Sequence, residues 1–194
     1  MLRRLCVYAG SNLGTRPDYR VAAAELADQM AARGIGLVYG GGKVGLMGVL
    51  ADTILGAGGE AVGVIPQALV NREVAHAGLT RLEVVASMHE RKAVMAKLAD
   101  GFVAVPGGIG TLEELVEVLT WSQLGIHAKP CGVLDVADFY SRLSDLLDHM
   151  VLEGFLRAEN RARLISAAQP GVLLERLRGW EPPTVTKWLD LERS

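Results

Sequence analysis

Short apolar or β-branched runs alternate with helix-length segments along most of the chain, and this alternation constrains the fold more than any other feature. The runs lie at 5–9, 36–39, 61–65, 82–85, 102–105 and 132–134, with a shorter one at 164–165. The segments between them are expected to be helices at 17–33, 45–55, 88–99, 111–124, 139–153 and 171–178. In the first of these, Ala23, Leu26, Ala27 and Met30 recur at helical spacing. Strands alternating with helices form βαβ units, which give a parallel sheet covered on both faces. Right-handed crossovers wind such a sheet in two directions. The expectation is a single doubly wound, Rossmann-like, three-layer α/β domain over residues 1–179, followed by a C-terminal tail at 180–194 that carries Pro182 and Pro183.

At 194 residues the chain has room for one domain, which excludes the two-domain plan of common dehydrogenases. Twenty Lys and Arg against 22 Asp and Glu leave a net charge of −2, so nothing draws the chain generally to nucleic acid or to an anionic membrane. Aromatic residues make up 5%, too few for a base-stacking platform. Cys6 and Cys131 sit in short apolar runs and read as buried core thiols. With no CxxC, HExxH or Cys/His cluster, no metal site is expected. The apolar run after Arg3 and Arg4 stops at Gly10, too short for a secretory signal, and no stretch reaches the roughly 18 apolar residues of a membrane span. A soluble, cytoplasmic protein is expected.

In open parallel sheets, ligands bind beyond the carboxyl ends of the strands, so the turns after the strands carry the information. Gly10 and Ser11 follow the first strand. Gly40-Gly41-Gly42-Lys43-Val44-Gly45 follows the second and matches GxGxxG, but a dinucleotide fingerprint belongs after the first strand, so a tight turn with close packing is an equal reading. Pro106-Gly107-Gly108-Ile109-Gly110-Thr111-Leu112-Glu113-Glu114 follows the fifth. Glycines opening a helix let a backbone approach a phosphate, which the free N–H groups of a helix N-terminus favour. Thr111 and Glu114 also spell a capping box, which alone would not need three glycines. Ser87 and Glu90 spell another, and would put Arg91 and Lys92 in the first or second helical turn, where cations oppose the helix dipole unless an anion binds.

The runs at 38–48, 63–66, 88–92 and 106–114 resemble the Lonely Guy family of cytokinin-activating phosphoribohydrolases, with the motifs in order over residues 6–155. The last run is the PGGxGTxxE motif, shared mainly with close relatives such as molybdenum-cofactor carriers. The resemblance implies hydrolysis of a nucleoside 5′-monophosphate to a free adenine-type base and ribose 5-phosphate, and since that reaction needs only water and the sequence has no ligand cluster, no cofactor or metal is expected. It implies that Arg91 and Glu114 are the catalytic pair. It also implies that Glu73, Met88, Lys92, Gly107, Gly108, Ile109, Gly110, Thr111, Leu112, Glu113 and Thr120 contact substrate. Gly10, Ser11, Gly41 and Gly42 are further loop contacts to test. The family further implies a homodimer with the site near its interface. Phe139, Leu143, Leu146, Leu147 and Met150 form an apolar stripe that serves an interface or an internal core equally well.

The chemistry fits these residue types. N-glycosidic hydrolysis passes through a ribosyl cation of oxocarbenium character, as in O-glycosides. A carboxylate such as Glu114 stabilises that cation and orients the water. An arginine is no ready proton donor, so Arg91 is assigned to positioning. The principal alternative is a non-catalytic nucleotide or cofactor carrier with the same phosphate loop. A Rossmann oxidoreductase ranks third, and a pyridoxal-phosphate decarboxylase using Lys43 or Lys92 last.

Overall fold

A computed structural model of the chain describes residues 2–70 and 75–183. Seven parallel strands form one sheet: β1 (Arg4–Tyr8), β2 (Gly36–Tyr39), β3 (Ala61–Pro66), β4 (Arg81–Val85), β5 (Gly101–Ala104), β6 (Cys131–Leu134) and β7 (Leu164–Ala167). Helices α1 (Pro17–Ala32), α2 (Gly45–Gly56), α3 (Met88–Leu98), α4 (Ile109–Gln123), α5 (Ser141–Leu152), α6 (Ala158–Arg161) and α7 (Pro170–Arg178) lie between and after the strands. The doubly wound α/β expectation holds. The one helix the sequence did not announce is α6, whose four residues are too few to show a period.

Alternation along each strand builds two cores. In β1, Leu5 and Val7 face a layer containing Leu26 and Met30 of α1, Leu50 and Ile54 of α2, and Leu173 and Leu177 of α7. Cys6 and Tyr8 face the other layer, with Met95 of α3 and Leu115 and Val118 of α4. The central strands are buried on both sides, as parallel strands between helix layers must be. Both cysteines are buried and unbridged. Among the described residues no helix is long and apolar enough to cross a membrane.

The strand order is β4-β3-β2-β1-β5-β6-β7. The chain runs outward from β1 to β4, returns through α3, and continues on the other side of β1 from β5. The two directions part between β1 and β5, whose connections leave toward opposite layers and open a crevice. The Val105 N–H donates to Tyr8 O (2.9 Å) and the Gly10 N–H to Pro106 O (3.2 Å), which fixes the two turns against each other there.

Candidate active site

At the end of β5 the chain enters α4 through the glycine run. Thr111 is not the cap its pattern suggests. Gly108 is the N-cap, α4 begins at Ile109, and no side chain caps it. Thr111 is instead buried against the bare Cα of Gly107, where a Cβ would come within 2.1 Å of Thr111 Oγ1. The first helical bond runs from Leu112 N–H to Gly108 O (3.1 Å), so the N–H groups of Ile109, Gly110 and Thr111 precede the ladder. Unlike Gly107, Gly108 and Gly110 have open space where a Cβ would stand, and neither has a positive φ. Nothing among the described residues requires glycine at these two positions. Ile109, between them, is 82% exposed.

At the start of α3, Ser87 Oγ accepts the Glu90 N–H (3.1 Å), and Glu90 Oε2 accepts the Ala86 N–H (2.7 Å). This is the expected capping box, with its return bond shifted by one residue. The cap aims Arg91 into the protein. Only 6% exposed, Arg91 donates through Nε to Val64 O (3.1 Å) and through Nη2 to Gly40 O (3.2 Å), and Nη1 lies 3.7 Å from Met88 Sδ. These partners are main-chain carbonyls, one within β3 and one just after β2. A Cβ on Gly40 would stand 2.1 Å from Nη2, so the guanidinium occupies the room that glycine leaves.

Glu114 lies one helical turn beyond Thr111 on the same face of α4. Burial pushes the thiol of Cys6 and the phenol of Tyr8 up, and the Glu114 carboxylate adds to both effects, while Arg91 acts on Cys6 in the opposite sense. Both charges therefore act on the Cys6 thiol of β1. Lys92, expected as a surface cation or an anion ligand, has its ammonium 2.6 Å from Glu113 Oε1 and 3.0 Å from Glu117 Oε1. The hydrogen bond to Glu113, aided by Glu117, holds the lysine above its ordinary pKa, so its charge is fixed.

Other expected contacts are placed differently. Gly10 joins the two turns and its carbonyl accepts the Leu46 N–H (3.0 Å). A Cβ on Gly45 would stand 2.2 Å from Ser11 C, so this half of the GxGxxG match is close packing. Gly41 O accepts the His76 N–H (3.0 Å) and Gly42 bridges Ala75, so both are committed to pairing with the chain at 75–76. Leu112 is half-buried on α4 against the core. Thr120 donates to Val116 O (2.8 Å), nine residues and roughly 14 Å along α4 from Thr111, so this chain does not bring it to the loop. Glu73 lies outside the described residues. A cavity of about 180 Å³ adjoins the loop, lined by Ser11, Asn12, Leu13, Tyr19, Gly108 and Phe139 among others. Glu117 was missed in the sequence because only its spacing of four from Glu113, facing Lys92, would have disclosed it.

Comparison with known proteins bears on this geometry. The chain is 47% identical over 180 residues to the cytokinin riboside 5′-monophosphate phosphoribohydrolase LOG of Oryza sativa subsp. japonica, which covers 93% of this chain and 74% of that protein. The chain belongs to the LOG family. LOG1 of Arabidopsis thaliana, with the same activity in its name, is 44% identical over 93% of this chain and 84% of its own length. A family model described as "Possible lysine decarboxylase" matches residues 47–177. Among solved structures, the molybdenum cofactor carrier protein of Chlamydomonas reinhardtii superposes with a TM-score of 0.69 at 21% identity, covering 91% of this chain and 98% of that one. At that identity the likeness is one of fold.

Proposed function

We propose that this LOG-family chain hydrolyses the N-glycosidic bond of adenine-type nucleoside 5′-monophosphates, with or without an N6 substituent, to the free base and ribose 5-phosphate. The observation that carries the reading is an uncapped helix N-terminus, with a carboxylate one turn along the same helix, in the same site region as a buried guanidinium held by main-chain carbonyls. The names of its LOG relatives support it.

In this reading the 5′-phosphate rests on the N–H groups of Ile109, Gly110 and Thr111, where the helix dipole favours an anion. Gly108 and Gly110 leave space for its oxygens. Lys92, with three N–H donors and two of them directed to carboxylates, has one for the phosphate or ribose. The ribose spans the turn between Thr111 and Glu114. As the bond from C1′ to the base nitrogen breaks, its electron pair leaves with the base and Glu114 stabilises the ribosyl cation. Water adds its oxygen to C1′, and its two protons go to the new hydroxyl and, in net balance, to the departing base. Arg91 stays charged throughout and orders the floor of the site through Gly40 and Val64. The reaction needs water and no metal or organic cofactor.

A homodimer, acting in the cytoplasm, completes the proposal. Its support is α5, none of whose residues is fully buried, with Leu152 at its end 80% and Phe155 beyond it 88% exposed. Across such an interface Thr120 of a second copy is free to reach the substrate. A Schiff-base decarboxylase is not favoured. That chemistry needs a neutral amine, and Lys92 is held protonated by two carboxylates.

Incubating the protein with AMP, N6-isopentenyl-AMP and adenosine, and separating the products by chromatography, tests the reading. Free base and ribose 5-phosphate are expected from one or both nucleotides. Adenosine is expected to react at least ~100-fold more slowly, because several charge-assisted phosphate contacts are missing. No base released from either nucleotide overturns the reading, and a carrier would then be the better account.

A further inference from the structure

Two helices supply the proposed catalytic pair, Arg91 from α3 and Glu114 from α4, and one cluster of charge ties those helices together beside it. Lys92 follows Arg91 directly, and Glu113 precedes Glu114 directly. The Lys92 side chain is 11% exposed and reaches across to Glu113 (2.6 Å) and Glu117 (3.0 Å). Glu113 and Glu117 stand four residues apart on one face of α4, where like charges repel. Lys92 between them removes that repulsion. Glu117 is the odd member. Its Oε1 meets the lysine, while its Oε2 is buried with no hydrogen-bond partner among the described residues. A carboxylate held by one oxygen, next to another carboxylate that already satisfies the lysine, adds little to the fold. What it does add is a second fixed point for the ammonium, which removes the freedom of a long flexible side chain to swing about a single partner.

We propose that Glu117 is a positioning residue of this site: with Glu113 it fixes the Lys92 ammonium between two points on α4, keeps the remaining N–H turned to the substrate anion, and stops α3 sliding on α4 beside Arg91 and Glu114. The inference rests on the phosphoribohydrolase reading and deepens it. Glu117 acts through Lys92 and touches no substrate.

A double-mutant cycle separates this role from a packing role. Wild type, Glu117→Ala, Lys92→Met and the double variant are compared by kcat and KM on AMP, by Kd for ribose 5-phosphate in calorimetry, and by Tm. Glu117→Ala is expected to raise KM and Kd about tenfold, with a smaller fall in kcat. In the Lys92→Met background the same change is expected to alter Kd by less than about twofold, because the side chain it acts through is gone. Glu117→Gln, which keeps an oxygen for the lysine, is expected to recover most of the affinity, and Glu117→Met, which keeps the length without an oxygen, carries the comparison if Glu117→Ala does not fold. An equal tenfold loss with and without Lys92 overturns the proposal. So does a Glu117→Ala protein with wild-type KM and Kd, whatever its Tm, and so does a wild type that binds no ribose 5-phosphate. If the wild type releases no base from AMP, the functional reading fails on its own, while the coupling is still read in the ribose 5-phosphate Kd.

Discussion

Gly107, Gly108 and Gly110 are indistinguishable in a motif and differ in the structure. Gly107 is glycine because Thr111 packs on it. Gly107→Ala should cost about 1–3 kcal/mol by overpacking, a Tm loss of several degrees in a chain of this size. Gly108 has ordinary backbone angles and empty space beside its Cα, so Gly108→Ala should melt like wild type. If the phosphate occupies that space, the same variant should raise KM for AMP at least ~10-fold, since a charge-assisted contact is lost or lengthened. Parallel melting curves and steady-state kinetics check both. A Gly108→Ala enzyme with wild-type KM would remove the loop from the site. Glu113 shows what residue types alone leave hidden: expected as a substrate contact, it holds Lys92 instead. The seat of Arg91 was equally hidden, because its partners are carbonyl oxygens of Gly40 and Val64, and carbonyls have no sequence signature.

At the scale of elements, strands and long helices were legible because burial imposes a period on them, and their ends were less so. The Thr-x-x-Glu pattern places the start of α4 at Thr111, and the structure moves it to Ile109, with Thr111 packed on Gly107 one turn earlier in place of capping. At the other end of α4, His127 closes the connection to β6: its Nε2 lies 2.9 Å from Val118 O and its Nδ1 accepts the Lys129 N–H (3.1 Å). Those bonds require the neutral Nε2–H form, and burial holds its pKa below the ordinary value. The unfolded chain therefore binds this proton more readily than the folded one. The stability it confers is present above about pH 6.5 and is lost as the pH falls from there toward the folded pKa. The Tm should fall between about pH 7 and about pH 5.5, and His127→Gln should flatten that slope. An unchanged slope in His127→Gln would place the titration elsewhere.

For the molecule as a whole, the alternation of runs disclosed the class of fold, whereas the position of the switch point followed from the pairing of β1 with β5, a contact between distant residues that no local period encodes. The same limit applies to assembly. The stripe on α5 divides in the structure: Leu143 and Leu147 pack on the core, and Leu146 stays 49% exposed. Light scattering at micromolar concentration should give twice the 20.7 kDa of the chain, and a mass of one chain would contradict the proposed dimer. The central claim, that the chain breaks an N-glycosidic bond with a carboxylate facing the ribosyl cation, is tested most directly by the rate of adenine release from AMP in Glu114→Gln. Gln keeps the shape of the side chain and removes its charge, and Glu114 is no cap, since α4 begins at Ile109. The variant should melt within a few degrees of wild type and release adenine at least ~100-fold more slowly. A Glu114→Gln protein that releases adenine at close to the wild-type rate would contradict the account.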